Sequence, residues 1–261
     1  DLFIFRLQPI EIIKPFFVLV VASLISNSKE KNSNYSYFFS LILLLGIIIL
    51  LLNQPDVGQS ILLITTWVSI VFISGIKISY IFLIFGILIS FSVFILLIFP
   101  EKFSYIIQRL DTFFDPTKGD SFQTDKALAA IKQGGLKGQG MGEGILKDSV
   151  PEAHTDYIIA VITEEFGSII SIFVITIFLY ISYKIIKTCI KISDENSKIS
   201  LCGLSSLLIF QTFIHIGVNT SLLPTTGMTL PFLSYGGSSL IGSSILAGVI
   251  LNFTKNRFKN E

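Results

Sequence analysis

The chain alternates long apolar runs with short polar segments from one end to the other. A run of about 18 or more residues with few charges can cross roughly 30 Å of hydrocarbon as a helix. Because a helix satisfies its own backbone hydrogen bonds, the pattern predicts an all-α transmembrane bundle of about seven spans. The predicted spans are residues 12–26, 37–52, 61–76, 78–99, 158–186, 199–218 and 230–253.

The composition agrees with a membrane protein. Of the 261 residues, 51% are hydrophobic and only 14% are charged, whereas soluble domains usually carry about 25% charged residues. The formal net charge is +1, and the sequence shows no basic stripe that would favour nucleic acid. We therefore expect the membrane as a partner and no nucleic acid.

Lysine and arginine residues occupy alternate connections between the predicted spans. They lie in segment 27–36, at Lys77, between residues 184 and 198, and in the C-terminal tail, whereas segments 53–60 and 219–229 contain none. The positive-inside rule places the basic connections in the cytoplasm. The long stretch 100–157 is then extracytoplasmic, and so is the N-terminus. An odd number of preceding spans would account for that N-terminus.

Two polar motifs lie at predicted span ends. Glu11 and Lys14 are three residues apart, so they share a helix face and can pair, and Pro9 suits the start of that helix. An ion pair near a helix end and a functional pair both remain open. Asp56, within a Pro-Asp-Val-Gly turn, either caps the next helix or belongs to a site.

The long loop contains a predicted helix followed by a glycine-rich segment. Residues 121–133 place Ala127, Leu128 and Ile131 on one helix face. Segment 134–144 lacks both the Gly-Lys-Ser/Thr sequence and the preceding strand of a phosphate-binding loop, so we reject a nucleotide site. We expect its backbone to lie over a ligand or along the membrane surface.

A cluster of ionisable residues surrounds the start of the fifth predicted span. Charged groups at membrane depth are costly and usually line a cavity. On one helix, Asp156 and Glu164 would lie about two turns apart on similar faces. Such clustering raises carboxylate pKa values and favours general-base or metal-ligand roles. The cluster comprises Glu152, His154, Asp156, Glu164 and Glu165.

A segment rich in proline, glycine and serine, 224–239, precedes the last predicted helix. Backbone of this kind is tolerated at membrane depth only where it lines a cavity or packs against protein. We therefore predict a broken or re-entrant helix at this position.

Five motifs together resemble the SEDS family of bacterial shape, elongation, division and sporulation proteins, which includes FtsW, RodA and SpoVE. Family members usually have about ten spans, so the resemblance implies that residues 1–261 are the last seven spans of one SEDS-type domain, with 100–157 as its extracytoplasmic loop. The matching stretches are QPIEIIK (8–14), QPDVGQ (54–59), GGLKGQGMG (134–142), PEAHTDYIIAVITEEFG (151–167) and LPTTGMTLPFLSYGGSS (223–239).

The resemblance implies a peptidoglycan glycosyltransferase of the bacterial cytoplasmic membrane that acts in cell division. Such an enzyme polymerises lipid II at the outer face, inverting the donor sugar and releasing undecaprenyl diphosphate. The implied partners are a class B penicillin-binding protein and other divisome or elongasome membrane proteins. A divalent cation, Mg²⁺ or Mn²⁺, is chemically reasonable.

Two other functions stay open, a lipid II flippase and a non-catalytic divisome scaffold. A carrier usually has polar groups toward both faces and an internal repeat, and the sequence shows neither feature. A scaffold leaves Asp156 and its neighbours without a role.

The resemblance also assigns site residues. Asp156 matches the family's essential aspartate and is the candidate base. Glu11 and Lys14 match the family's QPSE-x-x-K element and are expected to shape or line the central cavity. The remaining candidates for substrate binding are Arg109 and Lys137 for diphosphate or sugar acids, Asp148 at an acidic position of some FtsW proteins, and Glu152, His154, Thr155, Ser234 and Ser238 within the motifs.

Two positions depart from the family pattern. Ile10 stands where serine is usual, and Thr226 stands where many FtsW proteins have lysine. The PEAHTD and TLPFLSYGGSS stretches favour FtsW or SpoVE over RodA, and FtsW is preferred.

Overall fold

The computed structural model describes residues 7–31, 35–80, 100–115 and 122–255, together with a few positions between 81 and 99. Within these residues every regular element is helical, which confirms the predicted all-α class. The helices are α1 (Pro9–Lys31), α2 (Tyr35–Asn53), α3 (Val57–Ile73), α4 (Ser104–Phe114), α5 (Phe122–Gly134), α6 (Ile158–Phe166), α7 (Ser168–Ile190), α8 (Glu195–Asn219) and α9 (Gly237–Lys255), with a 3₁₀ turn at Leu146–Ser149.

Five of the described helices are long and apolar enough to cross a membrane: α1, α2, α7, α8 and α9. Helix α3 is apolar but has 17 residues. The chain is therefore a multi-pass membrane protein. The predicted span 78–99 lies largely outside the described residues, so the predicted number of spans stays a prediction.

The fifth predicted span, 158–186, is wrong as a single helix. It is broken at Gly167, which separates α6 from α7 and has a φ of 86° that favours glycine. The apolar run continues through the break, so hydropathy does not reveal it. A Cβ at Gly167 would meet the carbonyl oxygen of Leu136, because the glycine-rich segment packs directly against this turn.

The last predicted span also begins later than expected, at Gly237 instead of residue 230. Residues 220–236 form an irregular connection between α8 and α9, as the proline- and glycine-rich sequence predicts. Phe232 within it has a φ of 64°, a left-handed conformation that a helix does not contain.

Helix α8 is the centre of the bundle. Within their spanning windows, 67% of α8 is buried, compared with 17% of α2. Helices α1, α3 and α7 all pack on α8, and α9 packs on α1. Close approach depends on small residues, as is usual between membrane helices. At Gly242 of α9, for example, a Cβ would meet the carbonyl oxygen of Glu11.

The polar motifs converge at one end of this bundle, hereafter the Asp156 end. The starts of α1, α3, α6 and α9 meet the end of α8 there. The α7–α8 connection, residues 191–194, lies at the opposite end, because α8 runs from that connection to Asn219 beside Asp156.

Candidate functional site

Asp156 lies in a turn, not on a helix. The backbone N–H groups of Thr155, Asp156 and Tyr157 point to the carbonyl oxygen of Glu152 at 3.1, 3.0 and 3.4 Å, and α6 begins only after them. The prediction that Asp156 and Glu164 share a helix face is therefore wrong. Glu164 is buried at the far end of α6, where it accepts a hydrogen bond of 2.7 Å from the Leu146 N–H.

Three successive carbonyl groups next to the Asp156 side chain are each fixed by a hydrogen bond. The carbonyl of His154 accepts from the Tyr235 N–H at 2.8 Å. The carbonyl of Thr155 accepts from Ser234 Oγ at 2.6 Å, and that of Asp156 accepts from Asn219 Nδ2 at 2.8 Å. This set of bonds, the carbonyl clamp, ties the Asp156 turn to both α8 and the 220–236 connection.

Helix α8 has a row of buried polar residues that was not predicted from the sequence. Gln211 Nε2 donates to the Thr229 carbonyl at 3.0 Å, and His215 Nδ1 donates to the Met228 carbonyl at 2.7 Å. With Asn219, these residues recur every four positions, so they share one helix face. Polar residues at that spacing inside an apolar span are a recognisable signal, because unbonded they would be costly in a membrane.

Asn219 uses its whole side chain at this junction. It is fully buried, and its Nδ2 also donates to the His215 carbonyl at 2.9 Å. Its Oδ1 accepts from the Ala160 N–H at 3.2 Å, in the first turn of α6. One amide therefore fixes both the Asp156 backbone and the start of the helix that follows.

The Asp156 carboxyl is half-buried and carries an altered pKa. Burial, followed by the negative charges of Glu152 and Asp56, raises the pKa of Asp156 to about 6, while the Arg109 guanidinium acts in the opposite direction. A carboxylate with such a pKa is charged at neutral pH and is a stronger base than an ordinary aspartate.

The Asp156 side chain faces the 220–236 connection. Its Oδ2 lies 3.5 Å from the position that a Cβ at Gly227 would occupy, and Gly227 itself is exposed with a φ of 67°. The absence of a side chain at Gly227 therefore leaves space beside the carboxylate.

Asp56 has the capping role that its sequence suggests and also reaches α1. Its Oδ1 accepts from the Gln59 N–H at 3.1 Å, which caps α3. Its Oδ2 accepts from Gln8 Nε2 at 3.2 Å, while the Gln8 N–H donates to Ser238 Oγ at 3.0 Å. Burial raises the pKa of Asp56, with a further raising contribution from the charge of Glu11.

The predicted pairing of Glu11 with Lys14 is confirmed, at 2.7 Å between Oε2 and Nζ. Both side chains are buried, at 3% and 2% exposure. Glu11 Oε1 accepts from Gln59 Nε2 at 2.6 Å, and Lys14 Nζ donates to Gln211 Oε1 at 3.1 Å. The pair thus links α1 to α3 and α8 below the Asp156 turn, surrounded by protein.

Several further candidates lie near Asp156. Arg109, on α4, is half-buried and donates from NH1 to the Thr225 carbonyl at 3.3 Å. Glu152 and His154 are exposed, and Thr155 Oγ1 donates to Glu152 Oε2 at 2.9 Å. Ser234 is buried, and its hydroxyl is used within the protein, since it also accepts from the Leu230 N–H at 2.8 Å.

Two candidates are not brought to Asp156 by the described structure. Lys137 is exposed in the turn packed against Glu165 and Gly167, at the end of α6 remote from Asp156. Helix α6 has nine residues, so its two ends are about 12 Å apart along the helix axis. The side chain of Asp148 lies outside the described part of the structure.

The glycine-rich segment packs against protein backbone. The N–H groups of Gln139 and Gly140 donate to the carbonyls of Glu164 and Glu165, and the Ser168 N–H donates to the Gly135 carbonyl. A Cβ at Gly138 would meet the Glu165 carbonyl oxygen, so the close contact requires glycine. The segment therefore braces the break between α6 and α7, a role that was not predicted from the sequence.

Comparisons with known sequences place the chain among bacterial cell cycle proteins. The family model of the cell cycle proteins FtsW, RodA and SpoVE matches residues 1–259. The probable peptidoglycan glycosyltransferase FtsW of Caulobacter vibrioides is 33% identical over 255 residues, covering 97% of this chain and 64% of that protein. The FtsW of Buchnera aphidicola is 37% identical over 249 residues, covering 92% and 61%.

Stage V sporulation protein E of Bacillus subtilis is similar to the same degree, at 33% identity over 259 residues, covering 96% of this chain and 69% of that protein. The chain thus spans between 61% and 69% of the length of these three curated relatives.

Solved structures share the fold. One chain of a peptidoglycan synthase complex that couples polymerization and crosslinking superposes with a TM-score of 0.76 at 23% identity, covering 99% of this chain and 73% of that chain. The rod shape determining protein RodA of Thermus thermophilus gives a TM-score of 0.64 at 23% identity, covering 96% and 66%.

Proposed function

The chain belongs to the family of cell cycle proteins that comprises FtsW, RodA and SpoVE, and we propose on that premise that it is a peptidoglycan glycosyltransferase. The proposed reaction polymerises lipid II into glycan strands during cell division. The observation that carries the proposal is the carbonyl clamp, which fixes the backbone of a half-buried carboxylate whose pKa is raised to about 6.

Asp156 is proposed to act as the general base. The acceptor sugar hydroxyl attacks the anomeric carbon of the donor, and a new C–O bond forms as the bond to the lipid diphosphate breaks. The hydroxyl proton passes to the Asp156 carboxylate, and the electron pair of the broken bond leaves with the diphosphate. A base held at a fixed position within hydrogen-bond reach is what this proton transfer requires.

The leaving diphosphate needs positive charge. Arg109 is the cation whose charge lowers the pKa of Asp156, so its field reaches the proposed reaction site. A guanidinium suits phosphate oxygens because it presents several N–H donors in a plane. Arg109 is therefore proposed to bind the diphosphate, with Glu152, His154 and Thr155 bordering the sugars.

A divalent cation that is bound jointly by the protein and the substrate fits the same chemistry. Among the described residues, no group of three or more His, Cys, Asp or Glu side chains could hold a metal alone. Mg²⁺ usually binds one or two carboxylates together with substrate phosphates. Glu152, an exposed carboxylate whose charge acts on Asp156, would hold Mg²⁺ or Mn²⁺ together with the substrate diphosphate, and the cation would stabilise the charge of that leaving group.

The charge pattern supports a location for the proposed reaction. The Asp156 end is opposite the lysine-rich connection between α7 and α8, which the positive-inside rule assigns to the cytoplasm. The proposed reaction therefore takes place at the extracytoplasmic face of the bacterial cytoplasmic membrane. A class B penicillin-binding protein is the proposed partner, in keeping with the fold shared with a chain of a peptidoglycan synthase complex.

The test is a pair of measurements with lipid II on the protein purified with its penicillin-binding protein. Glycan strands formed in detergent, resolved by gel electrophoresis, are the expected result. Movement of labelled lipid II between the leaflets of liposomes, without glycan strands, would replace the enzyme with a flippase. Neither activity in a correctly assembled complex would favour a scaffold.

A further inference from the structure

An apolar groove of about 620 Å³ runs between α7 and α9, with a residue of α8 in its lining. Phe178, Leu246 and Ile250 are buried in its lining, while Tyr180 and Leu251 are exposed. The volume is in the range of small-molecule sites. In a membrane protein, a groove with exposed apolar walls on two spanning helices faces the lipid chains.

Lys184 alone is charged among the described residues that line this groove. Its Nζ lies 5.4 Å from the centre of the Tyr180 ring, so the charge is held beside the groove wall. A lysine inside a spanning helix is costly, so its charge usually has an opposite charge or a polar group beside it, or reaches the interface near a helix end.

The two ends of the groove differ in charge and in their distance from Asp156. Lys184 lies six residues before the end of α7, toward the α7–α8 connection and away from Asp156. From Lys184 to Val174, the first α7 residue in the lining, the helix rises about 15 Å, which is half of the roughly 30 Å hydrocarbon thickness. The distance therefore matches one lipid chain of one leaflet.

We propose that the groove binds one acyl chain of an anionic phospholipid, whose phosphate pairs with Lys184. The charge of Lys184 is complementary to the phosphate, and the apolar lining accepts the chain. Lys187 follows on the same helix, and a lysine-rich membrane boundary attracts anionic lipids in general. Because Lys184 lines the groove, it would bind one lipid at a defined position, whereas the other lysines attract anionic lipids without a defined site.

The position of the charged end argues against binding of the isoprenoid chain of a reacting substrate in this groove. The diphosphate of such a substrate would lie at the Asp156 end, where the groove lining contains Phe232 and Leu233 and no described cation. A phospholipid of the opposite leaflet places its charge at Lys184 instead. The inference does not depend on the proposed enzymatic activity.

The first experiment measures lipid binding by native mass spectrometry. Purified protein, delipidated and then mixed with equal amounts of phosphatidylglycerol and phosphatidylcholine, is expected to retain one phosphatidylglycerol. Lys184→Gln should weaken that binding about fivefold, and Lys187→Gln, on the same helix but outside the lining, should retain it. Equal retention of the two lipids, or an equal loss in both variants, would overturn the proposal.

A second pair of variants separates the groove from the charge. Ala247→Phe fills the lining and should abolish phosphatidylglycerol retention, whereas Gly248→Phe adds the same ring beside the groove and should not. Each variant is first checked for a monodisperse elution profile. Undecaprenyl phosphate is the competitor. If it displaces phosphatidylglycerol and binds Lys184→Gln as tightly as the unchanged protein, the groove belongs to an isoprenoid and the proposal fails.

Discussion

Asn219 Nδ2 donates a hydrogen bond of 2.8 Å to the carbonyl of Asp156, joining the buried end of α8 to the residue that carries the proposed base. The bond makes the position of Asp156 depend on α8, the most buried of the five spanning helices that the structure describes. The Asp156 turn is therefore anchored to the bundle core, although it belongs to a long connection in sequence.

Asn219→Ala should weaken both stability and catalysis. It leaves the Asp156 carbonyl without this partner, at about 1–3 kcal/mol for the unpaired group. It also removes one of the two acceptors of the Ala160 N–H, which keeps its bond to the Tyr157 carbonyl. We expect a lower melting temperature and a lower kcat with a smaller change in KM. Asn196→Ala, the same substitution at an exposed position of α8, is the control. Equal kcat values in both variants would remove Asn219 from the positioning of Asp156.

The rate should depend on pH through Asp156. Its pKa is raised to about 6, so the carboxyl is charged and active above that pH and neutral and inactive below it. The rate of glycan formation should fall about tenfold for each pH unit below 6. A flat profile between pH 5 and pH 7 would contradict a base with this pKa.

Two substitutions should move that acid limb in opposite directions. The charge of Glu152 raises the pKa of Asp156, and the charge of Arg109 lowers it. Glu152→Gln is therefore expected to shift the limb to lower pH, and Arg109→Gln to higher pH. The measurement is kcat/KM against pH for each variant. Shifts in the same direction would show that these charges do not act on Asp156.

The buried Glu11–Lys14 pair should respond asymmetrically to substitution. Lys14→Met leaves the Glu11 carboxylate buried without its cation, at about 3–5 kcal/mol. The double variant Glu11→Gln with Lys14→Met removes both charges and keeps an amide opposite Gln59, so it should be more stable than Lys14→Met alone. Thermal unfolding of the purified proteins provides the comparison. A double variant less stable than Lys14→Met would mean that the lone carboxylate is not the main cost.

The glycine-rich segment offers a matched test of packing. Gly138 and Gly142 have φ values of 80° and 83°, so alanine introduces similar backbone strain at both. Only at Gly138 would the added Cβ meet backbone, the Glu165 carbonyl. Gly138→Ala should therefore cost about 1–3 kcal/mol more than Gly142→Ala in unfolding experiments. Equal costs would show that the segment does not brace the α6–α7 break.

Hydropathy predicted the all-α class and placed five described spanning helices, because burial in lipid requires long apolar runs. It missed the break at Gly167, where a backbone conformation and a backbone contact decide the structure and apolarity does not change. The prediction that Asp156 and Glu164 share a helix face failed for a different reason, because Asp156 lies in the turn before α6, which begins only at Ile158.

The residues of the candidate site could be selected from the sequence, whereas the contacts between them could not. The pairing of Glu11 with Lys14 could be predicted from their spacing, and Asp156 could be selected as a candidate from the clustering of charged residues. The carbonyl clamp could not be inferred, because Asn219 and Ser234 reach it through tertiary contacts across 63 and 79 residues. The periodicity of Gln211, His215 and Asn219 was the available signal for a polar face on α8.

The most direct test of the proposed function compares lipid II polymerisation by the unchanged protein, Asp156→Asn and Asp111→Asn, each purified with the penicillin-binding partner. Asp111 is an exposed aspartate on α4 and serves as the matched control. We predict glycan strands from the unchanged protein and from Asp111→Asn, and none from a folded, partner-bound Asp156→Asn. Strands of equal yield from Asp156→Asn would show that this carboxylate is not the base.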